Sequence, residues 1–287
     1  MRFVCAIILV VGLALPAQAA DDGKGWSFFG RFSGSSNSDG LVTKAESGLG
    51  YSFNNHWSTY TGVPFYFVNR SSSTTTGTSG FMSGVGNAFL GFRFAAKSDQ
   101  LNYTSNLEFT APTGDRSRGF STGRVTADWT NTFSTKVASL TPFGSIGIAN
   151  TVSDTAFFVR PFTSLGRVAH FEGGATYDLL PAVRVGLSAY AVKGSGQQRI
   201  ISKVVERQTT SSSASSNGRG NSNSKNRVFE TQAETVTQAA ELVNDHGFST
   251  WFGVSPKPEM DFHVGYSRSV NYDFNTVFFG IGFRVGK

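Results

Sequence analysis

Hydrophobic and polar positions alternate along most of this chain with a period of two. In the closing segment Val277, Phe279, Ile281, Phe283 and Val285 fall on one face, and Thr276, Gly280, Gly282 and Arg284 on the other. Leu101, Tyr103, Leu107 and Phe109 alternate with Asn102, Thr104, Asn106, Glu108 and Thr110. Val125, Ala127 and Trp129 alternate with Arg124, Thr126, Asp128 and Thr130, and Val183, Val185, Leu187 and Ala189 with Arg184, Gly186, Ser188 and Tyr190. Successive side chains of a strand point to opposite faces, so each segment has one apolar face and one polar or glycine-bearing face. The pattern predicts twelve strands, over 25–33, 41–53, 57–68, 84–95, 101–111, 121–133, 140–151, 162–178, 183–194, 247–254, 261–270 and 274–285. Segments of about ten such residues have the length of strands that cross a bilayer at a tilt.

The predicted connections alternate too. Those at 54–56, 97–100, 134–139, 179–182 and 255–260 are short; those at 34–40, 69–83, 112–120, 152–161 and 195–246 are mostly longer and rich in Ser, Thr and Gly. Short turns on one side and long loops on the other characterise bacterial outer-membrane barrels, whose short side is periplasmic. Phe53, Trp57, Phe133 and Tyr177 flank the short turns, where an interfacial aromatic girdle belongs. The expected fold is therefore all-β: a single antiparallel transmembrane β-barrel of about 12 strands, with short periplasmic turns and long external loops. A secreted β-sandwich alternates in the same way but carries more charge on its outer faces. Pro64 stands against the barrel, because a closed sheet has no edge to excuse a missing donor; a bulge or a strand end there would accommodate it.

Composition agrees with two differently solvated faces. Charged residues make up 15% and aromatics 14%, with 33 Gly and 27 Phe among 287 residues. Residues 1–19 combine a basic start at Arg2, an apolar run from Phe3 to Leu15 and an Ala17-Gln18-Ala19 site, the pattern of a cleaved secretory signal peptide. That leaves 20–287 as the barrel domain, expected in the bacterial outer membrane, and removal of Arg2 takes the formal net charge from +6 to +5. The single Cys5 leaves with the signal, so disulfides and thiolate metal sites are not expected. Scattered Lys and Arg on an exported chain argue against a nucleic-acid partner.

The 195–246 segment differs from the rest. Fifteen of the 18 residues in Thr209–Asn226 are Ser, Thr, Asn or Gly, the composition of a flexible tract. Beyond it Phe229, Ala233, Val236, Ala240 and Val243 are spaced as the stripe of a short amphipathic helix. The segment reads either as an external loop carrying that helix or as a lid or plug folding over the barrel.

If the apolar faces meet lipid, the polar faces line a lumen, because a charge on the lipid face costs roughly 2–4 kcal/mol at the midplane. The candidate lumen-lining residues are Arg93, Glu108, Arg124, Asp128, His170, Glu172, Asp178, Arg184, His263 and Arg284. Counting from the connections pairs Asp178 with Arg184, Glu108 with Arg124, and Asp261 with Arg284. Such pairs fill a narrow barrel and hold its register, or select what passes through it. His170 and Glu172 share one face but have no third ligand at a suggestive spacing. No G-x-S-x-G elbow appears, and no catalytic residue or cofactor is expected.

Three stretches resemble the outer-membrane barrel family labelled for the meta pathway of phenol degradation. They are Gly84 to Phe94, Leu107 to Trp129 with its Pro112-Thr113-Gly114-Asp115 element, and Asp261 to Val285 with Gly265-Tyr266-Ser267 and Asn271-Tyr272-Asp273. The resemblance spans most of 41–285 outside the 195–246 insert, and it implies a twelve-stranded barrel that moves small, hydrophobic or aromatic compounds inward. The chain departs from that family at Asn87, where the family has Asp, and in ending Phe283-Arg284-Val285-Gly286-Lys287 rather than on an aromatic read by the outer-membrane insertion machinery. The expected function is passive uptake of small solutes across the outer membrane, with membrane lipid, the solute and the insertion machinery as partners. The rival expectation is a closed structural or surface-interaction barrel whose long loop carries the function.

Overall fold

The computed structural model describes residues 24–38, 40–70, 81–98, 100–116, 118–152, 154, 159–160, 162–203, 236–238 and 243–286. The predicted signal peptide at 1–19 and the 209–226 tract lie outside them. The described strands are β1 (Gly25–Asn37), β2 (Gly40–Ser52), β3 (Trp57–Arg70), β4 (Phe81–Val85), β5 (Phe89–Lys97), β6 (Asn102–Thr110), β7 (Thr126–Ser134), β8 (Leu140–Ala149), β9 (Phe162–Leu180), β10 (Val183–Ser202), β11 (Val236–Gln238), β12 (Asp245–Lys257), β13 (Met260–Ser269) and β14 (Phe274–Gly286). Sequential strands pair antiparallel, and β1 closes the ring on β14 from Ser27 opposite Gly286 to Ser36 opposite Val277. β4 and β5 occupy one position in the ring, both against β3, and β11 pairs with β10 outside the ring of twelve. The result is a closed antiparallel barrel of twelve strands. Closure removes the sheet edges that an open sheet would leave unpaired.

The period-two pattern sorts onto the two sides of this wall. Phe28, Phe92, Ile148, Leu187, Phe252, Val264 and Val277 point outward and are exposed, forming an apolar belt. Ser33, Ser188, Ser249, Ser267 and Thr276 point inward and are buried. At the short-turn end a ladder of rings runs round the outside. Trp57 packs on Phe94 at 4.9 Å, Phe94 on Tyr103 at 6.1 Å, and Tyr103 on Phe133 at 5.0 Å.

Several elements differ from expectation. Most of the connection predicted at 34–40 is strand, because β1 stays paired with β2 as far as Asn37 opposite Gly40. The strand predicted at 84–95 is broken into β4 and β5, and the break answers the problem of Pro64. Its carbonyl accepts from the Gly86 amide at 2.8 Å, so the missing Pro donor also faces the 86–88 gap, where no ladder bond is lost. The gap is filled from β6–β7. Thr113 Oγ1 accepts from the Ala88 amide at 2.8 Å, and Asn87 Oδ1 accepts from the Gly114 amide at 3.3 Å. β10 continues to Ser202, so the first residues of the 195–246 segment belong to a strand. Val236 of the predicted helical stripe is extended, pairing with Ile200 on the side of β10 that β12 has vacated. Phe229, Ala233 and Ala240 lie outside the described residues.

Candidate functional site

Inside the barrel, large rings and glycines are matched across neighbouring strands. Tyr60 faces Gly91, Phe89 faces Gly62, Trp251 faces Gly186, Phe278 faces Gly265, His170 faces Gly147 and His263 faces Gly280. A Cβ at any of these glycines would meet the opposing ring, so each ring lies down on a glycine instead of standing across the lumen. That leaves room for charged side chains and for solvent-sized space between them.

Three polar cavities follow one another. A chamber of about 390 Å³ at the short-turn end is lined by Arg31, Arg93, Arg284, Tyr60, Glu46 and Glu108. Glu46 and Glu108 also line the next cavity, of about 120 Å³, with Lys44, Lys203 and Asp154. Asp154 is shared in turn with a third, of about 270 Å³, bounded by Asp128, His170, Glu172 and Arg160. Glu108 accepts from the Tyr60 hydroxyl at 2.8 Å; Asp128 lies 3.1 Å from His170 Nε2 and accepts from Thr130 at 2.8 Å.

The long-loop mouth is crossed by chain. After Val192 opposite Asp245, β10 leaves β12 and bulges between Ser195 and Arg199, with Gly196 at φ 70° supplying the left-handed backbone that the bulge requires. The arm of β9 and β10 then brings Lys203 Nζ to 4.7 Å from the centre of the Tyr66 ring. Tyr66 sits on β3, six places from β10 in either direction round the ring. Asp154 gathers the groups that meet there. Its carboxylate lies 3.4 Å from Lys44 Nζ and 3.6 Å from Lys203 Nζ, and accepts from the Tyr66 hydroxyl at 3.0 Å and the Arg160 amide at 2.9 Å. Burial works against this carboxylate, but the two ammonium groups and the two donors outweigh it and hold its carboxyl well below the usual range. Arg160 reaches the other wall, its guanidinium 3.9 Å from Asp245 and over the Tyr190 ring. Around these ions Val42, Tyr66, Val68, Phe120 and Val159 form one buried cluster, and Val152, Val168, Val192 and Val243 another.

The ten sequence-predicted residues are therefore divided. Arg93, Glu108, Asp128, His170, Glu172 and Arg284 line the cavities. Arg184 and His263 share Asp261, which is thus paired with Arg184 across three strands and not with Arg284. Asp178 stands opposite Arg184 in register but binds Lys136 at 2.8 Å near the turn. Arg124 is exposed in the β6–β7 connection, and the residue opposite Glu108 is Asp128. The shift arises because β7 begins at Thr126, so equal counting back from the loop misjudges the register. Sequence reading missed Lys44, Glu46, Asp154, Arg160 and Lys203. Lys44 and Glu46 carry the period-two signal; the others lie at or beyond strand ends, where periodicity is silent. Among the described residues no group of three metal-ligating side chains occurs.

No protein-family profile matches the chain, and no curated protein matches it. Among solved structures it is similar to an outer membrane channel from Pseudomonas putida F1, at 12% identity over 96% of this chain and 98% of that one, with a TM-score of 0.55. The NanC porin is less similar, with 10% identity over 89% of this chain and 98% of that one and a TM-score of 0.49. At such identities the likeness concerns the fold alone, the closed antiparallel barrel.

Proposed function

We propose that the chain is an outer-membrane channel for the passive entry of small solutes, exported behind the 1–19 signal and seated in the bacterial outer membrane by the insertion machinery. The observation that carries this reading is the run of three charged cavities sharing Glu46, Glu108 and Asp154 inside a wall whose outside is apolar. The exposed belt fits a lipid solvent, since soluble monomers rarely expose so much contiguous apolar surface. The ring ladder at the short turns fits one membrane interface, and the shortness of those turns supports a periplasmic position for them. The resemblance to the family labelled for the meta pathway of phenol degradation supports aromatic or hydrophobic compounds as the solute class. The role asks for no catalysis and no cofactor.

A second reading draws on the crossed mouth: the barrel is closed at rest, and the β9–β10 arm with Asp154 forms its gate. Swelling of liposomes containing the refolded mature chain tests the channel directly. Small solutes are expected to enter faster than into empty liposomes, and equal rates for every solute would contradict it. In cells, deletion of the gene is expected to slow uptake of the transported compound.

A further inference from the structure

We infer that the chamber at the short-turn end is a binding subsite for a small organic carboxylate, held by Arg93 with Arg284 beside it. The inference rests on the channel reading and names the class of solute that this chamber selects.

Three arginines and two glutamates reach the chamber. Both glutamates are engaged. Glu46 lies 3.2 Å from Lys44 and 4.0 Å from Arg31, and Glu108 accepts from Tyr60. Arg93 is different: among the described residues it makes no hydrogen bond and no ion pair, and its Nε is buried without a partner. A guanidinium carries five donors in a planar fork, and leaving them unmet inside a protein is costly. A second arginine on the same chamber wall adds repulsion that an anion would relieve. The planar fork matches a carboxylate through two parallel hydrogen bonds.

The rest of the chamber defines the body of the ligand. Phe29 and Tyr60 present rings set edge to face at 6.3 Å, a surface for a compact apolar or aromatic group. Glu46 and Glu108 on the same walls repel a second negative charge, so a monoanion fits and a dianion does not. A volume of about 390 Å³ lies within the range of small-molecule sites.

Calorimetric titration of the refolded mature chain with benzoate, and with benzyl alcohol as its neutral counterpart, tests this. Benzoate is expected to bind at least tenfold more tightly than benzyl alcohol. Arg93→Gln should weaken benzoate at least tenfold, Arg93→Lys should retain part of the affinity, and Arg124→Gln should leave it unchanged. If Arg93→Gln does not give a heat-modifiable barrel, Arg284→Gln carries the same expectation. Equal binding of the two probes, wild-type affinity in Arg93→Gln, or no benzoate binding at millimolar concentration would overturn the subsite. Benzoate binding that depends on Arg93 in a barrel that admits no solute would retain the subsite and remove the channel. Solute entry without benzoate binding would do the reverse.

Discussion

Tyr60 fits inside the barrel because Gly91 stands opposite it, and the same arrangement recurs at Trp251 over Gly186 and Phe278 over Gly265. Gly91→Ala and Gly186→Ala should each destabilise the folded barrel by about 1–3 kcal/mol, the usual penalty of overpacking. Urea unfolding of the refolded protein measures this, and an unchanged midpoint would mean that the rings move aside freely. Asp154 supports a second prediction. Its folded-state pKa lies below the unfolded value, so its contribution to stability is complete above about pH 4 and is lost as pH falls further through the depressed value. The contacts that Asp154 makes across the mouth should therefore persist at neutral and mildly acidic pH and loosen only in strong acid, which limited proteolysis near Lys203 across a pH series would detect. These residue-level contacts were only partly legible in the sequence. Phe278 and Trp251 were not singled out by the alternation, and only the cross-strand register reveals the glycine beneath each ring. It also reveals that Glu108 faces Asp128.

At the scale of elements, β3 tolerates Pro64 because the neighbouring strand is interrupted where the missing donor points. The β6–β7 connection then supplies Thr113 and Asn87 takes up Gly114, so the wall stays closed at the break. The sequence marked this place as anomalous through Pro64, but the expected bulge or strand end at Pro64 does not occur: β3 runs through it unbroken, and the interruption lies in the neighbouring strand between β4 and β5. The arm of β9 and β10 was less legible. Ser195-Gly196-Gln197-Gln198-Arg199-Ile200-Ile201-Ser202 does not alternate, so the predicted strand stops at 194, and nothing in the pattern shows where β10 parts from β12 and bends across the mouth. The arm is held by Lys203 on Asp154, and breaking a buried ion pair by removing one partner costs about 3–5 kcal/mol. Asp154→Asn leaves Lys44 and Lys203 without their shared carboxylate, so it should make channel openings longer or more frequent than in the wild type. Excision of 205–226 should leave the opening pattern unchanged, because the groups described at the mouth lie outside that tract. Loss of all function on that excision would favour the rival account in which the loop carries the function.

At the scale of the whole molecule, the described residues form a closed twelve-stranded wall with an apolar outside, a charged inside and a long-loop mouth crossed by chain. Strand number was readable from periodicity because each strand has one apolar and one polar face, whereas the alternation of short and long connections was readable only in part, since β1 and β2 stay paired as far as Asn37 opposite Gly40. The state of the lumen was not readable, because it depends on where Asp154, Arg160 and Lys203 fold after leaving the regular wall. Single-channel recording from the refolded mature chain and from Asp154→Asn in planar bilayers tests the central claim most directly. Discrete, salt-dependent steps are predicted for the wild type, with a higher open probability in Asp154→Asn. Silence from both proteins, each folded and heat-modifiable, would contradict the account.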